Sequence, residues 1–192
     1  GTLIQSGPAE VMLTGSNGFT GQTFINNSVL RLGSTGSLAD SDVIVQNGGT
    51  LILGASSGSQ IKNLTLNNGN LSLGDNRTTN ASQSIGNLTL TSDSSINFSI
   101  LSGKDLSVSF KSIEISSYRL NIFNYVEGSS HLYDREISND LNLSLNQIYF
   151  YSGSLTSSSL LGTAGILANS TEIIPVPECS VIVAAFMLLS WF

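Results

Sequence analysis

Three segments of this chain repeat one pattern: "NSVLRLG" at 27–33, "GGTLILG" at 48–54 and "NGNLSLG" at 68–74. Each segment opens with residues that favour a turn, continues with two leucines separated by one residue, and closes with glycine. Neighbouring copies are spaced by about twenty residues. A period of that length is typical of a solenoid, in which every repeat forms one coil.

The leucines of each repeat predict a strand that buries one face. Leu30 and Leu32 lie on one side of an extended chain and Arg31 on the other, because side chains alternate along a strand. One such strand cannot bury its apolar face alone, so successive coils must stack in parallel around a shared column of Leu, Ile and Val. Gly and Asn at the coil corners supply the positive φ angles that the bends require.

Looser copies, "EVMLTG" at 10–15 and "NLTLT" at 87–91, extend the repeat, and the period is lost after Leu90. We therefore expect an all-β chain in four parts. These are a β-solenoid over 1–91, a β-rich capping region over 92–151, a Ser/Gly-rich linker over 152–172 and a hydrophobic tail over 173–192. The opening "GTLIQSGPAEVMLTG" starts partway through a repeat, which suggests that the chain begins inside a longer protein.

The composition excludes one class of partner. Of the 192 residues, 40% are hydrophobic, which is sufficient for a packed core, and only 10% are charged, with a net charge of −6. A chain with so few cations has no basic surface for phosphates, so we expect no binding to nucleic acid. Cys179 is the single cysteine, which excludes an internal disulfide and a multi-cysteine zinc site.

Two groups of residues are candidates for chemistry. His131 is the only histidine and lies in "SSHLYDRE" beside Asp134, Arg135 and Glu136, a grouping that fits either an acid/base site or a solvated loop. No nucleophile motif accompanies it, so we predict no catalytic residue and no cofactor.

Asp40 and Asp42, in "ADSDV", are weak candidates for a calcium site or else a solubilising corner. Calcium requires about six to eight oxygen ligands, and the sequence indicates no third one. Asn-x-Ser/Thr sites also occur repeatedly, for example at Asn63, Asn70, Asn87, Asn97 and Asn142. They are either glycosylation acceptors or chance products of an Asn-rich solenoid, whose corner asparagines can hydrogen-bond from coil to coil.

The segment "EVMLTGSNGFTGQTFINNSVLRLG" resembles the autotransporter-associated β-strand repeat. The similarity covers Val11 to Gly33, including Phe19, Thr20 and Gly21, and continues more loosely to Gly74; Ser28 stands where the family often has Gly. The resemblance implies a right-handed parallel β-helix in a large bacterial surface or secreted protein. It implies no chemistry.

The chain ends in "EIIPVPECSVIVAAFMLLSWF", of which the twelve residues Val181–Phe192 carry no charge. As a helix they would reach roughly 18 Å, too short for about 30 Å of hydrocarbon. "PVPECSVIVAAF" resembles the PEP-CTERM sorting signal: Val176, Pro177 and Glu178 match its motif, while Cys179 replaces the second proline. The family's longer apolar span and basic end are missing, which suggests a truncated or degenerate signal.

That resemblance implies recognition by an exosortase-type membrane enzyme, membrane contact through the tail, and export by a Gram-negative-type bacterium that makes extracellular polysaccharide. Alternatives are a lipidated Cys179 and a hydrophobic strand buried in the domain. The sequence therefore favours a noncatalytic protein of the cell surface, outer membrane or extracellular matrix, with extracellular polysaccharide or surface glycans as candidate ligands. The second hypothesis is a polysaccharide-acting β-helix enzyme that uses Asp40, Asp42 or His131.

Overall fold

The computed structural model describes residues 1–54, 57–58, 60–74, 80–99, 104–136, 145–154, 157–166 and 170–177. This part of the chain is all-β, apart from one 3₁₀ turn at Leu145–Gln147. The strands are β1 Leu3–Ser6, β2 Val11–Leu13, β3 Thr23–Asn26, β4 Val29–Leu32, β5 Leu38–Gln46, β6 Thr50–Leu53, β7 Ser57–Gly58, β8 Ile61–Asn67, β9 Asn70–Leu73, β10 Ala81–Leu90, β11 Ser94–Phe98, β12 Leu106–Glu114, β13 Leu120–Phe123, β14 Ser130–Asp134, β15 Ile148–Tyr151, β16 Leu160–Ile166 and β17 Glu172–Val176.

The strands stack as three parallel ladders, which confirms the predicted parallel β-helix. The first ladder joins β7, the start of β10, the start of β12, and β14. The second joins β1, β3, β5, β8, and the second halves of β10 and β12. The third joins β2, β4, β6, β9, β11, β13 and β15. Strands of the second and third ladders thus alternate along the chain from β1 to β13, and strands of the first ladder join them from β7 onward.

The leucine column of the third ladder forms the centre of the core. Its six members are in register from coil to coil, and each is 0% exposed: Leu30, Leu51, Leu71, Ile96, Ile122 and Phe150. The intervals between them are 21, 20, 25, 26 and 28 residues. The leucine spacing thus identified the first part of a column that continues with Ile and Phe to the last coil.

The boundary expected at residue 91 is therefore not an architectural one. Strands β10, β12 and β14 stack in parallel across it, and so do β9, β11 and β13. The described residues of 92–151, a range expected as a cap, supply further coils of the solenoid. Their connections are longer than in the first coils, and this hides the period while the ladder register is kept.

The cap lies farther along the chain. Strand β16 pairs antiparallel with β15, and β17 pairs antiparallel with both β16 and β14, so this hairpin joins the third ladder to the first. Ile173 of β17 is 0% exposed. Residues 160–166, expected within a linker, and 172–176, which span the end of that linker and the start of the predicted tail, are thus strands that close the end of the solenoid.

The corner between the second and third ladders explains the asparagines and glycines of the repeat. Asn27, Asn47 and Asn68 adopt φ angles of 46°, 54° and 52° at equivalent places. Gly69 follows in the next position, where an added Cβ would lie 2.4 Å from the carbonyl oxygen of Val45. The coils approach so closely at Gly69 that only a very small residue fits there. At the equivalent position in the first copy of the repeat, the chain has another small residue, Ser28, which is buried.

Replacing Leu51 by Ala tests the interior column. We expect a loss of about 2–5 kcal/mol in the free energy of unfolding, because the change opens a cavity at a fully buried site. Ile52→Ala is the matched control: its side chain is only half-buried on the outer surface, so its cost should be about 1 kcal/mol or less. Denaturant unfolding measures both, and equal losses would contradict the assigned facing of β6.

Candidate functional site

His131 and Glu172 form a pair between the last coil and the cap. His131 lies on the outer surface of β14, because its neighbour Leu132 points into the core. The antiparallel register of β17 places Glu172 opposite Tyr133, and its carboxylate reaches diagonally to His131, with 2.6 Å between His131 Nδ1 and Glu172 Oε1. The imidazole also stacks on the ring of Tyr133, at 6.1 Å between centroids and 12° between planes. This contact attaches the cap hairpin to the solenoid.

The three charged residues that follow His131 in the sequence point elsewhere. Asp134 is 1% exposed and accepts hydrogen bonds from the backbone N–H of Ile113, at 3.2 Å, and of Glu136, at 3.0 Å. Burial raises the pKa of the Asp134 carboxyl, and the two backbone donors partly offset that rise. The sequence grouping of His131 with Asp134 is therefore not a cluster in space.

Arg135 and Glu136 hold neighbouring coils together. The Arg135 guanidinium donates to the carbonyl oxygens of Ile85, at 2.8 Å, and Phe110, at 3.3 Å, each on a different coil. Glu136 lies 3.7 Å from Lys111 Nζ. In the described part of the chain, no hydroxyl group hydrogen-bonds the second ring nitrogen of His131. The Arg135 and Glu136 contacts therefore fasten neighbouring coils together.

Asp40 and Asp42 also differ in surroundings. Asp40 is exposed, whereas the Asp42 carboxylate accepts a hydrogen bond from Asn63 Nδ2 at 2.8 Å and lies 3.6 Å from Lys62 Nζ. Within the described residues, no three His, Cys, Asp or Glu side chains lie close enough to hold a metal ion together. Asn63 Oδ1 in turn accepts a hydrogen bond from the backbone N–H of Asn87. Asp42, Asn63 and Asn87 therefore form a hydrogen-bonded row along the second ladder.

Asparagines at several Asn-x-Ser/Thr sites bond between coils, as the stacking alternative predicts. Asn70 Oδ1 accepts from the Ser95 hydroxyl at 2.6 Å, and Asn97 Oδ1 accepts from Asn124 Nδ2 at 2.6 Å. At a coil corner, Asn47 Nδ2 donates to Oδ1 of Asn26, which begins a further Asn-x-Ser site, at 2.7 Å. Asn142 lies outside the described residues.

The predicted sorting motif begins at the surface of the cap. Val176 ends β17 and is 46% exposed, and the exposed Pro177 lines a shallow cavity of about 190 Å³ with Leu160, Leu161 and Gly162. Glu178, Cys179 and the apolar run Val181–Phe192 lie outside the described residues. No helix in the described part of the chain is long and apolar enough to cross a membrane.

One surface cluster was not identified from the sequence. On the outer side of the third ladder, Arg119 Cζ lies 4.5 Å from the ring centroid of Tyr149, and the rings of Phe123 and Tyr151 stack at 4.9 Å with 18° between planes. The Tyr151 hydroxyl lies 3.5 Å from Asn121 Oδ1. We call Arg119, Asn121, Phe123, Tyr149 and Tyr151 the tyrosine face. Its signal in the sequence is that all five tyrosines of the chain lie between 118 and 151.

Tyr125 is the tyrosine that points inward. Its ring contacts Phe150, with 4.8 Å between centroids, and Phe98, at 6.2 Å, both edge to face. Burial raises the pKa of Tyr125 to about 12, and the nearby carboxylates of Glu172 and Glu127 add to the rise. The hydroxyl therefore stays protonated where an unfolded tyrosine, with a pKa of about 10, already ionises.

No family model, curated protein sequence or solved structure matches this chain. Its candidate sites are therefore assigned from its own residues and geometry.

Tyr125→Phe tests the buried hydroxyl through the pH dependence of stability. Because the folded pKa is raised, stability is fully present below the unfolded pKa of about 10 and is lost as the pH rises through about 12. Denaturant unfolding between these values should show that the variant loses less stability than the wild type. Tyr118→Phe, at an exposed ring, controls for the loss of a hydroxyl, and identical curves for Tyr125→Phe and wild type would contradict the assignment.

Proposed function

We propose that this protein is a noncatalytic, exported surface or extracellular-matrix protein of a Gram-negative-type bacterium. Its β-solenoid serves as an extended spacer and binding surface, with extracellular polysaccharide or surface glycans as the candidate ligands. Its C-terminal residues serve as an exosortase-type sorting signal. The observation that carries the proposal is the uninterrupted interior column from Leu30 to Phe150, which makes the whole described body a regular stack of coils.

The exterior supports a structural role for the body. Its polar side chains are largely Ser, Thr and Asn, and several of them hydrogen-bond to the coil above or below, as in the row from Asp42 through Asn63. Side chains engaged in this way stabilise the stack, and they do not converge on a common point where a substrate could react. A repetitive body of this kind offers a long, stable surface.

The geometry of the cap supports the sorting role of the C-terminal residues. The cap hairpin ends at Val176 and Pro177, which are both exposed, so the motif that they begin starts at the surface and away from the core. A processing enzyme must reach an extended and accessible segment, while an apolar stretch is needed to enter lipid. Residues 176–179, which resemble the PEP-CTERM motif, fit the accessible segment that the enzyme must reach. The uncharged run Val181–Phe192 fits the apolar stretch that enters lipid.

Mapping the mature C-terminus by mass spectrometry tests the sorting role. The protein is expressed from its complete natural gene in its host, with and without the exosortase, and we expect a new end between Pro177 and Ser180 only when the enzyme is present. Replacing Val176, Pro177 and Glu178 by Ala should abolish this processing. Glu127→Ala, at an exposed acidic residue outside the motif, is the control and should be processed normally. A soluble, folded, secreted product that retains Val181–Phe192 would contradict the proposal.

A turnover assay on acidic and neutral glycans tests the noncatalytic assignment separately. We expect no products from the purified protein. Product formation that disappears on changing His131, Asp40 or Asp42 would show that the enzyme hypothesis is correct instead.

A further inference from the structure

We propose that the tyrosine face binds an acidic saccharide, with Arg119 receiving the carboxylate of a uronic acid unit. The inference rests on the proposed function for its setting, a surface exposed to extracellular polymers. The site itself is argued from the charge, hydrogen-bonding groups and shape of this surface.

Arg119 and Lys104 differ from the other cations among the described residues. Arg31, Lys62 and Lys111 each lie within ion-pair distance of a carboxylate, and Arg135 donates to backbone carbonyl groups. Among the described residues, no carboxylate lies within ion-pair distance of the Arg119 guanidinium. The nearby Asp93 carboxylate is engaged by the backbone N–H of Arg119, at 2.8 Å. The guanidinium is therefore available for an anionic ligand.

The stacking of Arg119 on Tyr149 prepares it for such a ligand. The guanidinium carbon lies over the Tyr149 ring, and a guanidinium held there can form two parallel hydrogen bonds to a carboxylate. Holding the side chain in one place before binding also lowers the conformational entropy that binding would otherwise cost. This geometry favours a planar anion over a monovalent spherical one.

The remaining polar groups of the tyrosine face are mostly donors. The side-chain oxygen of Asn121 accepts a hydrogen bond from the Tyr151 hydroxyl. The side-chain oxygen of the neighbouring Asn97 accepts one from Asn124 Nδ2. The amide N–H groups of Asn121 and Asn97 make no hydrogen bond to the described residues and stay available for hydroxyl oxygens of a ligand. A saccharide that carries a carboxylate and many hydroxyl oxygens matches this set of donors.

The shape of the surface favours a polymer over a small molecule. The tyrosine face is the outer side of strands β13 and β15 together with Arg119 just before β13, and a parallel ladder presents its side chains along a gently twisted surface. Arg119 is exposed, Asn121, Tyr149 and Tyr151 are half-buried, and Phe123 is buried beside Tyr151. A chain of sugar units can lie across several coils and contact more than one side chain. The net charge of −6 opposes an anionic polymer at long range, but salt screens that repulsion beyond about 8 Å at physiological ionic strength.

Calorimetric titration with an oligosaccharide of galacturonic acid tests the proposal, with its fully methyl-esterified form as the uncharged match. We expect the acidic form to bind and the ester to bind at least about tenfold more weakly, because the ester cannot form the charge-assisted pair. Arg119→Gln should weaken binding of the acidic form by a similar factor. Raising the salt concentration should weaken binding of the wild type.

Arg31→Gln is the matched control, because Arg31 lies on the outer side of the same ladder but its guanidinium is already paired with Glu10. It should leave the affinity unchanged. Failure of the wild type to bind, equal binding of acid and ester, or unchanged affinity of Arg119→Gln would each overturn the proposal.

Amide chemical shifts of the wild-type protein provide a second measurement that does not depend on a folded variant. The acidic oligosaccharide should perturb the signals of Arg119, Asn121 and Tyr149, and perturbation confined to other coils would overturn the site. Loss of uronate binding with normal C-terminal processing would contradict this inference alone and leave the proposed function in place.

Discussion

The structure depends on one constraint: each coil must place an apolar side chain directly above that of the coil before it. Parallel ladders fix the register through their backbone hydrogen bonds, and their inward side chains fill the interior as columns that run from coil to coil. In the third ladder, this position passes from Leu30 and Leu51 to Ile122 and Phe150 without a break. The connections between strands can vary in length as long as that register is kept.

The same constraint explains what could be predicted from the sequence. The first coils have short and nearly equal connections, so their leucines appear at a regular period. In the later coils, longer connections and a change from Leu to Ile and Phe remove the period, although Ile96 occupies the same column. The cap was missed because β16 is rich in small residues and β17 contains Pro175, features that resemble a linker.

The contacts of the candidate sites were harder to predict, because they join residues far apart in the chain. His131 meets Glu172, which is 41 positions away, through an antiparallel pairing that has no repeat signal. Asp134 follows His131 closely in sequence but points into the core, since the two positions lie on opposite sides of a strand. The tyrosine face needs Arg119 and Tyr149 from successive coils. For all of these, the ladder register decides the neighbours.

Spin labels in neighbouring rungs provide the most direct test of the in-register stack beyond the sequence repeat. Ser82 and Ser107 are register partners in β10 and β12, on coils whose period cannot be read from the sequence. With Cys179 replaced by Ser, labels at these two positions should show strong dipolar broadening, because adjacent strands lie about 4.8 Å apart. Labels at Ser82 and Thr89, well separated along β10, should show much less. Sharp, unbroadened spectra for the Ser82–Ser107 pair would contradict the stacked-coil account.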